Sequence, residues 1–168
     1  TMSSENNKNA LFTQTEKNLK KQGFKIVDHD FDRPWGGFFV IDEGQASDFI
    51  DTYFDGVEME EANIAGKLSP KILLVQPQKR LSWQYHHRRA EMWQVVEGPV
   101  GVIRSKTDEQ GEVETYEAGD LITLKQGERH RLVGLQNWGI IAEIWQHIDP
   151  ENPSDEEDIV RLEDDFGR

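Results

Sequence analysis

The sequence predicts an all-β fold, a sandwich or barrel built from short strands. From Ser69 onward, short runs of aliphatic, β-branched and aromatic residues recur with turn residues between them. The runs are KILLVQ, RLSWQY, EMWQVVEG, VGVIRSK, EVETYE, LITLK, HRLVGL and WGIIAEIWQ. Helical spacing occurs only before these runs, and no repeat of fixed period is present. Seven or eight strands in this arrangement are typical of an antiparallel sandwich or barrel.

The length of 168 residues suits one domain with one substantial core. Leu11, Phe12 and Leu19 have loosely helical spacing, and ASDFIDTYF places its apolar residues on one helical face, so short helices are expected on the N-terminal side. RPWGGFFVID is the expected first strand. Three regions follow: a peripheral arm or helix (1–32), the barrel (33–148) and an acidic segment that packs on the barrel (149–168).

The composition excludes several classes of function. The net charge of -13 argues against a nucleic-acid or anionic-membrane surface. No apolar run is long enough to span a bilayer, and the first residues are polar rather than signal-like. The absence of cysteine rules out thiolate metal sites and fits a cytoplasmic protein.

The middle of the chain is locally cationic, in contrast to the acidic whole. Its basic residues lie close to histidines in the sequence: Lys79, Arg80, Arg88, Arg89, Arg129 and Arg131. A cationic pocket in an acidic protein indicates a small anionic ligand rather than a polyanion.

RLSWQYHHRRAEMWQVVEG, at 80–98, has more imidazoles and charges than a buried strand needs. Gln84 and His86 are two residues apart and therefore share a strand face. Glu91 follows after a possible bend, and His130 lies after the turn in KQGERH. Together these four residues could bind one divalent ion through nitrogen and oxygen, or else form a buried polar network.

The spacing of these residues resembles the two cupin motifs. The first is Gln84-x-His86-x4-Glu91-x6-Gly98, and the second is Gly119-x5-Lys125-x-Gly127-x2-His130. LSWQYHHRRAEMWQVVEG, DIVRLEDDFGR and RPWG together are similar to the C-terminal cupin domain of type II phosphomannose isomerases, over roughly 33–168. The resemblance implies a cupin jelly-roll barrel, also called a double-stranded β-helix.

This chain departs from the resembled pattern at several points. Gln84 stands where many cupins have a first histidine, Gln78 where the first motif usually has glycine, and Lys125 where the second usually has proline. The adjoining turns are therefore expected to differ. The glycine-rich nucleotide-binding signature of the guanylyltransferase half is absent, so transferase activity is not expected.

The resemblance also implies a metal-dependent interconversion of mannose 6-phosphate and fructose 6-phosphate through an enediol. The implied cofactor is one divalent ion, with zinc as first choice and manganese, cobalt, iron or nickel as alternatives. Its implied ligands are Gln84, His86, Glu91 and His130. Guanidinium groups bind phosphate and enediolate oxygens in bidentate fashion, which makes five arginines candidates for these contacts. They are Arg33, Arg88, Arg89, Arg161 and Arg168.

The general base is left open between Glu143 and His87. Glu143 stands between Ala142 and Ile144 in a buried strand, where a carboxylate is costly unless it is paired or useful. Two other functions also remain open: an isomerase or epimerase of another sugar, and a non-catalytic module that binds metal or sugar. By analogy of fold, a homodimer paired through edge strands is expected.

Overall fold

A computed structural model of the chain describes residues 4–167. Its α-helices are α1 (Ser4–Lys21), α2 (Ala46–Tyr53) and α3 (Met59–Ala62), and a 3-10 turn at Glu43–Gln45 precedes α2. The first six strands are β1 (Ile26–Arg33), β2 (Gly36–Ile41), β3 (Leu68–Val75), β4 (Trp83–Tyr85), β5 (Arg89–Glu97) and β6 (Val100–Ser105). The others are β7 (Glu114–Tyr116), β8 (Leu121–Leu124), β9 (Arg129–Gly134), β10 (Gly139–His147) and β11 (Val160–Glu163).

The strands form two antiparallel sheets that pack face to face, which confirms the predicted all-β barrel. The larger sheet has the order β1-β2-β3-β10-β5-β8, and the smaller has the order β11-β4-β9-β6-β7. Buried side chains from both sheets meet between them, for example Leu73 and Ile141 with Val102 and Leu132. This interior is where the polar residues of the two motifs must be accommodated.

The inner strands of the larger sheet, β2, β3, β10 and β5, are buried on both faces, because the helices cover their outer side. In β3, Ile72 and Leu74 belong to the helix-facing core, whereas Leu73 and Val75 face the barrel interior. Since side chains alternate along a strand, Lys71 shares the interior face with Leu73. In β10 the same rule places Glu143 on the interior face with Ile141.

The helix-facing core explains why the N-terminal part of the chain stays attached to the barrel. Its largest members come from both helices and sheet: Phe12, Leu19, Phe24, Phe39, Phe49, Ile50, Phe54 and Ile72. In the described part of the chain, none of the helices has the length and apolar character that crossing a membrane requires.

The sheet begins earlier than the sequence predicts. Residues 26–32, which were assigned to the arm, belong to the edge strand β1 (Ile26–Arg33), which pairs with β2. Asp28 and His29 are exposed on this strand, so it lacks the apolar alternation by which a half-buried strand is recognised. The N-terminal helix α1 is also longer than a short peripheral helix, with 18 residues.

The backbone has a positive φ angle at Gln78, which departs from the resembled pattern, and at Gly36, which matches it. Gln78 has a φ of 63°, the left-handed region that glycine adopts most readily, at the place where the resembled motif has glycine. Gly36, in RPWG, has a φ of 146°, and a Cβ added there would lie 1.9 Å from the carbonyl oxygen of Leu74. The close contact of β2 with β3 therefore requires glycine at position 36.

We predict that Gly36→Ala destabilises the fold by about 1–3 kcal/mol, because the backbone conformation and the contact with Leu74 both oppose a side chain. Chemical denaturation measures the change in the free energy of unfolding. Gly44→Ala is the matched control, since the nearest atom to its added Cβ would be 3.7 Å away. Equal stability of the two variants would contradict the prediction.

Candidate metal centre and its pocket

Strand register brings the two motifs together inside the barrel. Gln84 of β4 pairs directly with His130 of β9, so residues far apart in sequence become neighbours across two strands. Glu91 comes from β5 in the opposite sheet, where it pairs with Trp145 of β10. His86 follows the end of β4. The chain bends after β4 and returns as β5, and this path places polar residues from both sheets around one point.

His86, Glu91 and His130 form a group able to hold a metal ion, with one potential ligand atom from each residue and all of these atoms within 4.8 Å of one another. The Nε2 atom of His86 lies 3.4 Å from Oε2 of Glu91, and the Nε2 atom of His130 lies 3.6 Å from Oε1. Two donors bound to one zinc ion at tetrahedral angles lie roughly 3.4 Å apart. These residues therefore fit a divalent ion.

Backbone carbonyls orient both imidazoles. The Nδ1 atom of His86 is 2.7 Å from the carbonyl oxygen of Asp158, and that of His130 is 3.1 Å from the carbonyl oxygen of Glu128. A protonated Nδ1 that donates to a carbonyl leaves Nε2 with its lone pair, as metal-binding histidines require. The Asp158 carboxylate also accepts the backbone N–H groups of His87 and Arg88, which holds the first motif against the C-terminal segment.

Gln84 is also buried in this pocket, and its amide nitrogen donates to the backbone carbonyl and the hydroxyl of Ser82 at 3.2 and 3.1 Å. Because the nitrogen is occupied in this way, the amide oxygen is the atom that Gln84 can offer to an ion. A set of two imidazoles, one carboxylate and one amide oxygen contains no soft ligand, so it suits zinc and harder divalent ions alike.

Arg89 is the cation closest to this centre. Its Nε donates to Oε2 of Glu91 at 2.7 Å, and its Nη2 lies 3.2 Å from Nε2 of His86. Its Nη1 donates to the hydroxyl of Ser154, and its guanidinium stacks 3.6 Å from the ring centroid of Trp145. Ligation by His86 would replace the Nη2 contact, because a metal ion and an N–H group compete for the same lone pair.

The charges and the burial of this centre set the protonation states of its members. Burial lowers the pKa of His86 to about 3 and also lowers that of His130, so both imidazoles are neutral at pH 7. Burial by itself would raise the pKa of Glu91, but the neighbouring groups, with Arg89 first among them, together outweigh burial, and the pKa falls below its usual value. Neutral imidazoles with an ionised carboxylate are the states that bind metal.

A second buried carboxyl lies next to this group. Glu143 accepts hydrogen bonds at 2.9 Å from the indole N–H groups of both Trp93 and Trp145. The Trp93 indole also lies 3.1 Å from Oε1 of Glu91, so one indole joins the two carboxyls. Burial, together with the charge of Glu91, raises the pKa of Glu143 to about 8. Glu143 can therefore exchange a proton near neutral pH.

The pocket also contains many of the other residues singled out from the sequence. Its wall includes Arg33, Arg89 and Arg161, and it also includes Lys71 and Glu156, which the sequence did not single out. Arg89 is buried at the centre rather than on a rim.

Other candidates lie elsewhere. His87 is exposed, with its ring against Tyr85, and Arg88 pairs with Asp155; neither side chain lines the pocket. Arg168 lies outside the described residues. Of the two remaining histidines, His29 is exposed, and His147 is buried with hydrogen bonds to Ser69 and Ser154.

The two-sheet barrel, with a potential metal centre shared by both motifs, defines a cupin. More narrowly, residues 53–164 match the family model described as Mannose-6-phosphate isomerase C-terminal. The chain belongs to this family, which confirms the family and fold that the motifs predict.

Curated relatives agree with this assignment. The chain is 31% identical over 136 residues to the xanthan biosynthesis protein XanB of Xanthomonas campestris pv. campestris, which covers 81% of this chain and 23% of that protein. It is 30% identical to the mannose-1-phosphate guanylyltransferase ManC of Salmonella typhimurium, again over 81% of this chain and 22% of that protein. The chain thus spans less than a quarter of the length of these relatives.

Solved structures support the fold alone. Vicilin from hazelnut (Corylus avellana) superposes with a TM-score of 0.54 at 12% identity, over 83% of this chain and 36% of that chain. The 7S globulin of Momordica charantia superposes with a TM-score of 0.53 at 21% identity, over 82% and 34%.

We predict that the protein binds about one divalent ion per chain and that His86→Ala abolishes this binding, because one of the converging nitrogen donors is lost. Elemental analysis after incubation with zinc and gel filtration measures the metal content. His87→Ala is the control, since it removes the adjacent but exposed imidazole. If both variants retained the same metal content as the unaltered protein, the assigned ligand set would be wrong.

Proposed function

We propose that the protein is a metal-dependent aldose-ketose isomerase of a phosphosugar, and that it interconverts mannose 6-phosphate and fructose 6-phosphate. The observation that supports this most directly is one pocket with three features. It has a metal-type donor set, a buried carboxyl whose pKa is raised to about 8, and several cationic side chains. Membership of the family is the second support.

The reaction needs a proton to move between C1 and C2, together with stabilisation of the oxygen that becomes negatively charged in the enediol. A divalent ion held by His86, Glu91 and His130, with Gln84 as a fourth ligand, would supply electrophilic stabilisation of that oxygen. Arg161 and Arg89 add positive charge to the same pocket. Both guanidinium groups favour an enediolate over a neutral sugar.

Glu143 is the base that we favour over His87. It is buried in the pocket wall, its two oxygens accept indole N–H groups, and its raised pKa gives it both protonation states near neutral pH. The His87 side chain is exposed and does not line the pocket. In its ionised form Glu143 can take a proton from one carbon of the sugar and then return it to the next.

The cellular context follows from this chemistry. A phosphosugar substrate and the lack of cysteine fit a cytoplasmic enzyme.

Zinc is the first ion to test, and manganese, cobalt, iron and nickel are the alternatives for this donor set. The protein is proposed to act as a homodimer that pairs through an edge strand of one of its two open sheets.

An isomerase assay tests the proposed activity. Fructose 6-phosphate formed from mannose 6-phosphate is followed by a coupled reaction in three samples: the metal-loaded protein, the protein treated with chelator, and His86→Ala. We expect activity in the first sample only, because the chemistry needs the ion. Equal activity in all three samples would rule out the metal role.

The same assay separates the alternative functions. Turnover of unphosphorylated mannose in preference to mannose 6-phosphate would indicate an isomerase of another sugar. Binding of mannose 6-phosphate without any turnover, in a fully metal-loaded sample, would indicate a non-catalytic module.

We predict that Glu143→Gln lowers kcat by about 10²–10⁴-fold with a much smaller change in KM, because a positioned base is lost and the volume is kept. In the unaltered enzyme, kcat/KM should rise with pH as Glu143 loses its proton. The midpoint should lie at or below about 8, since a nearby dication favours the ionised form.

Glu97→Gln is the control for this experiment, because Glu97 is exposed at the end of β5 and lies outside the pocket. Steady-state kinetics between pH 5 and 9 measures both parameters. A Glu143→Gln enzyme with unaltered kcat and an unaltered pH profile would exclude Glu143 as the base.

A further inference from the structure

Lys71 is a charged residue in a strand that has no exposed position. Every residue of β3, LSPKILLV, is buried, and the Lys71 side chain is 7% exposed. Its alternation with Leu73 points it into the barrel, where it lines the pocket. A buried ammonium group destabilises a fold unless it is paired, so its partners indicate its role.

The ionic partner of Lys71 is not the acid beside it. Glu143 is its direct cross-strand neighbour on β10, but the oxygens of Glu143 accept the indole N–H groups of Trp93 and Trp145. The Lys71 ammonium instead forms an ion pair with Glu156, whose side chain is 55% exposed. Its other contacts are aromatic, with the rings of Phe38 and Trp145 at 4.5 and 4.0 Å.

A second cation approaches the same carboxylate. Nη2 of Arg33 lies 3.9 Å from Oε2 of Glu156, whereas Lys71 pairs with Oε1 of the same carboxylate. Nε of Arg33 lies 3.1 Å from Asp30 without hydrogen-bond geometry, and among the described side chains it is the buried polar atom without a hydrogen-bond partner. Two pocket cations thus flank one carboxylate, and the Nε–H group of Arg33 has no hydrogen-bond acceptor.

We propose that Lys71 and Arg33 form the phosphate-binding subsite of the pocket, and that the Glu156 carboxylate is an internal competitor which the phosphate group must displace. A phosphomonoester carries up to two negative charges and three acceptor oxygens, so it pairs with two cations better than a carboxylate does. Glu156 is exposed and can move into solvent, whereas Lys71 is fixed in the sheet.

The subsite lies next to the metal centre. The ring of Trp145 contacts both Lys71 and Arg89, and Arg89 bonds to Glu91. A ligand whose phosphate is bound at Lys71 therefore extends its other end past Trp145 toward the metal ligands. The subsite rests on the proposed function only for the identity of that ligand as a sugar phosphate, since the cation pair itself would bind other phosphomonoesters.

The test uses variants with opposite expected effects on phosphate binding. Isothermal titration calorimetry with inorganic phosphate, at low and fixed ionic strength, gives the dissociation constant of the metal-loaded protein. Lys71→Met should weaken binding by about 10–100-fold, because a charge-assisted contact is lost while the buried stem is kept. Glu156→Gln should tighten binding by about 3–10-fold, because the competing charge is removed.

Glu157→Gln is the matched control. It lies next to Glu156, is exposed, and changes the net charge by the same amount, so long-range electrostatics alone would make it act like Glu156→Gln. We expect its phosphate affinity to stay within about twofold of the unaltered protein. Arg33→Gln provides a second weakening variant if Lys71→Met does not fold, as judged by circular dichroism.

The outcomes separate this subsite from the isomerase function. Opposite shifts for Lys71→Met and Glu156→Gln support the subsite even if no sugar phosphate is isomerised. Unchanged phosphate affinity in both variants overturns it, even if mannose 6-phosphate is isomerised. Equal tightening by Glu156→Gln and Glu157→Gln also overturns it, because the effect would then be one of net charge.

Discussion

The buried carboxylate of Glu91 is the charge around which the interior of the barrel is arranged. Arg89 pairs with it at 2.7 Å, the Trp93 indole lies 3.1 Å away, and His86 and His130 stand within 3.4 and 3.6 Å. A buried carboxylate without such partners would be protonated or would destabilise the fold. Its negative charge also adds to burial in opposing the ionisation of Glu143, so one carboxylate links the metal ligands to the second carboxyl of the pocket.

The barrel was predictable from the sequence because its strands are short, apolar and separated by turn residues, and the family motifs supplied the topology. The edge strand β1 was not, since an edge strand with one solvated face has few positions that must be apolar. Its sequence, IVDHDFDR, has aspartates at every second position from 28 to 32. It forms a strand because it pairs with β2. Tertiary contact decides the structure there, and local sequence preference does not.

Three of the proposed metal ligands were predictable from the sequence, because the spacing of the motifs identifies them. His86, Glu91 and His130 were identified by spacing, and the structure brings them together through strand register. Lys71 and Glu156 could not be found in this way, because nothing in KILLV or SDEED indicates that two segments 85 residues apart pair inside a pocket.

The central position of Arg89 could not be predicted from the sequence either. Arg88 and Arg89 are adjacent and chemically identical, but Arg88 lies in the bend before β5 and pairs with Asp155, whereas Arg89 is the first residue of β5 and is buried. In the same connection between β4 and β5, His87 is exposed while His86 is buried. Neighbouring residues of one type therefore acquire different roles through the path of the backbone between β4 and β5.

The indoles that hold Glu143 give the pocket an optical signal of its own. Trp93 and Trp145, two of the five tryptophans, both donate to this one carboxyl, and Trp145 also stacks against two cations. The absorption and emission of an indole respond to nearby charge. Proton loss from Glu143, ion binding at Glu91 and movement of Lys71 will therefore each alter the intrinsic fluorescence, so events in the pocket can be followed without an added label.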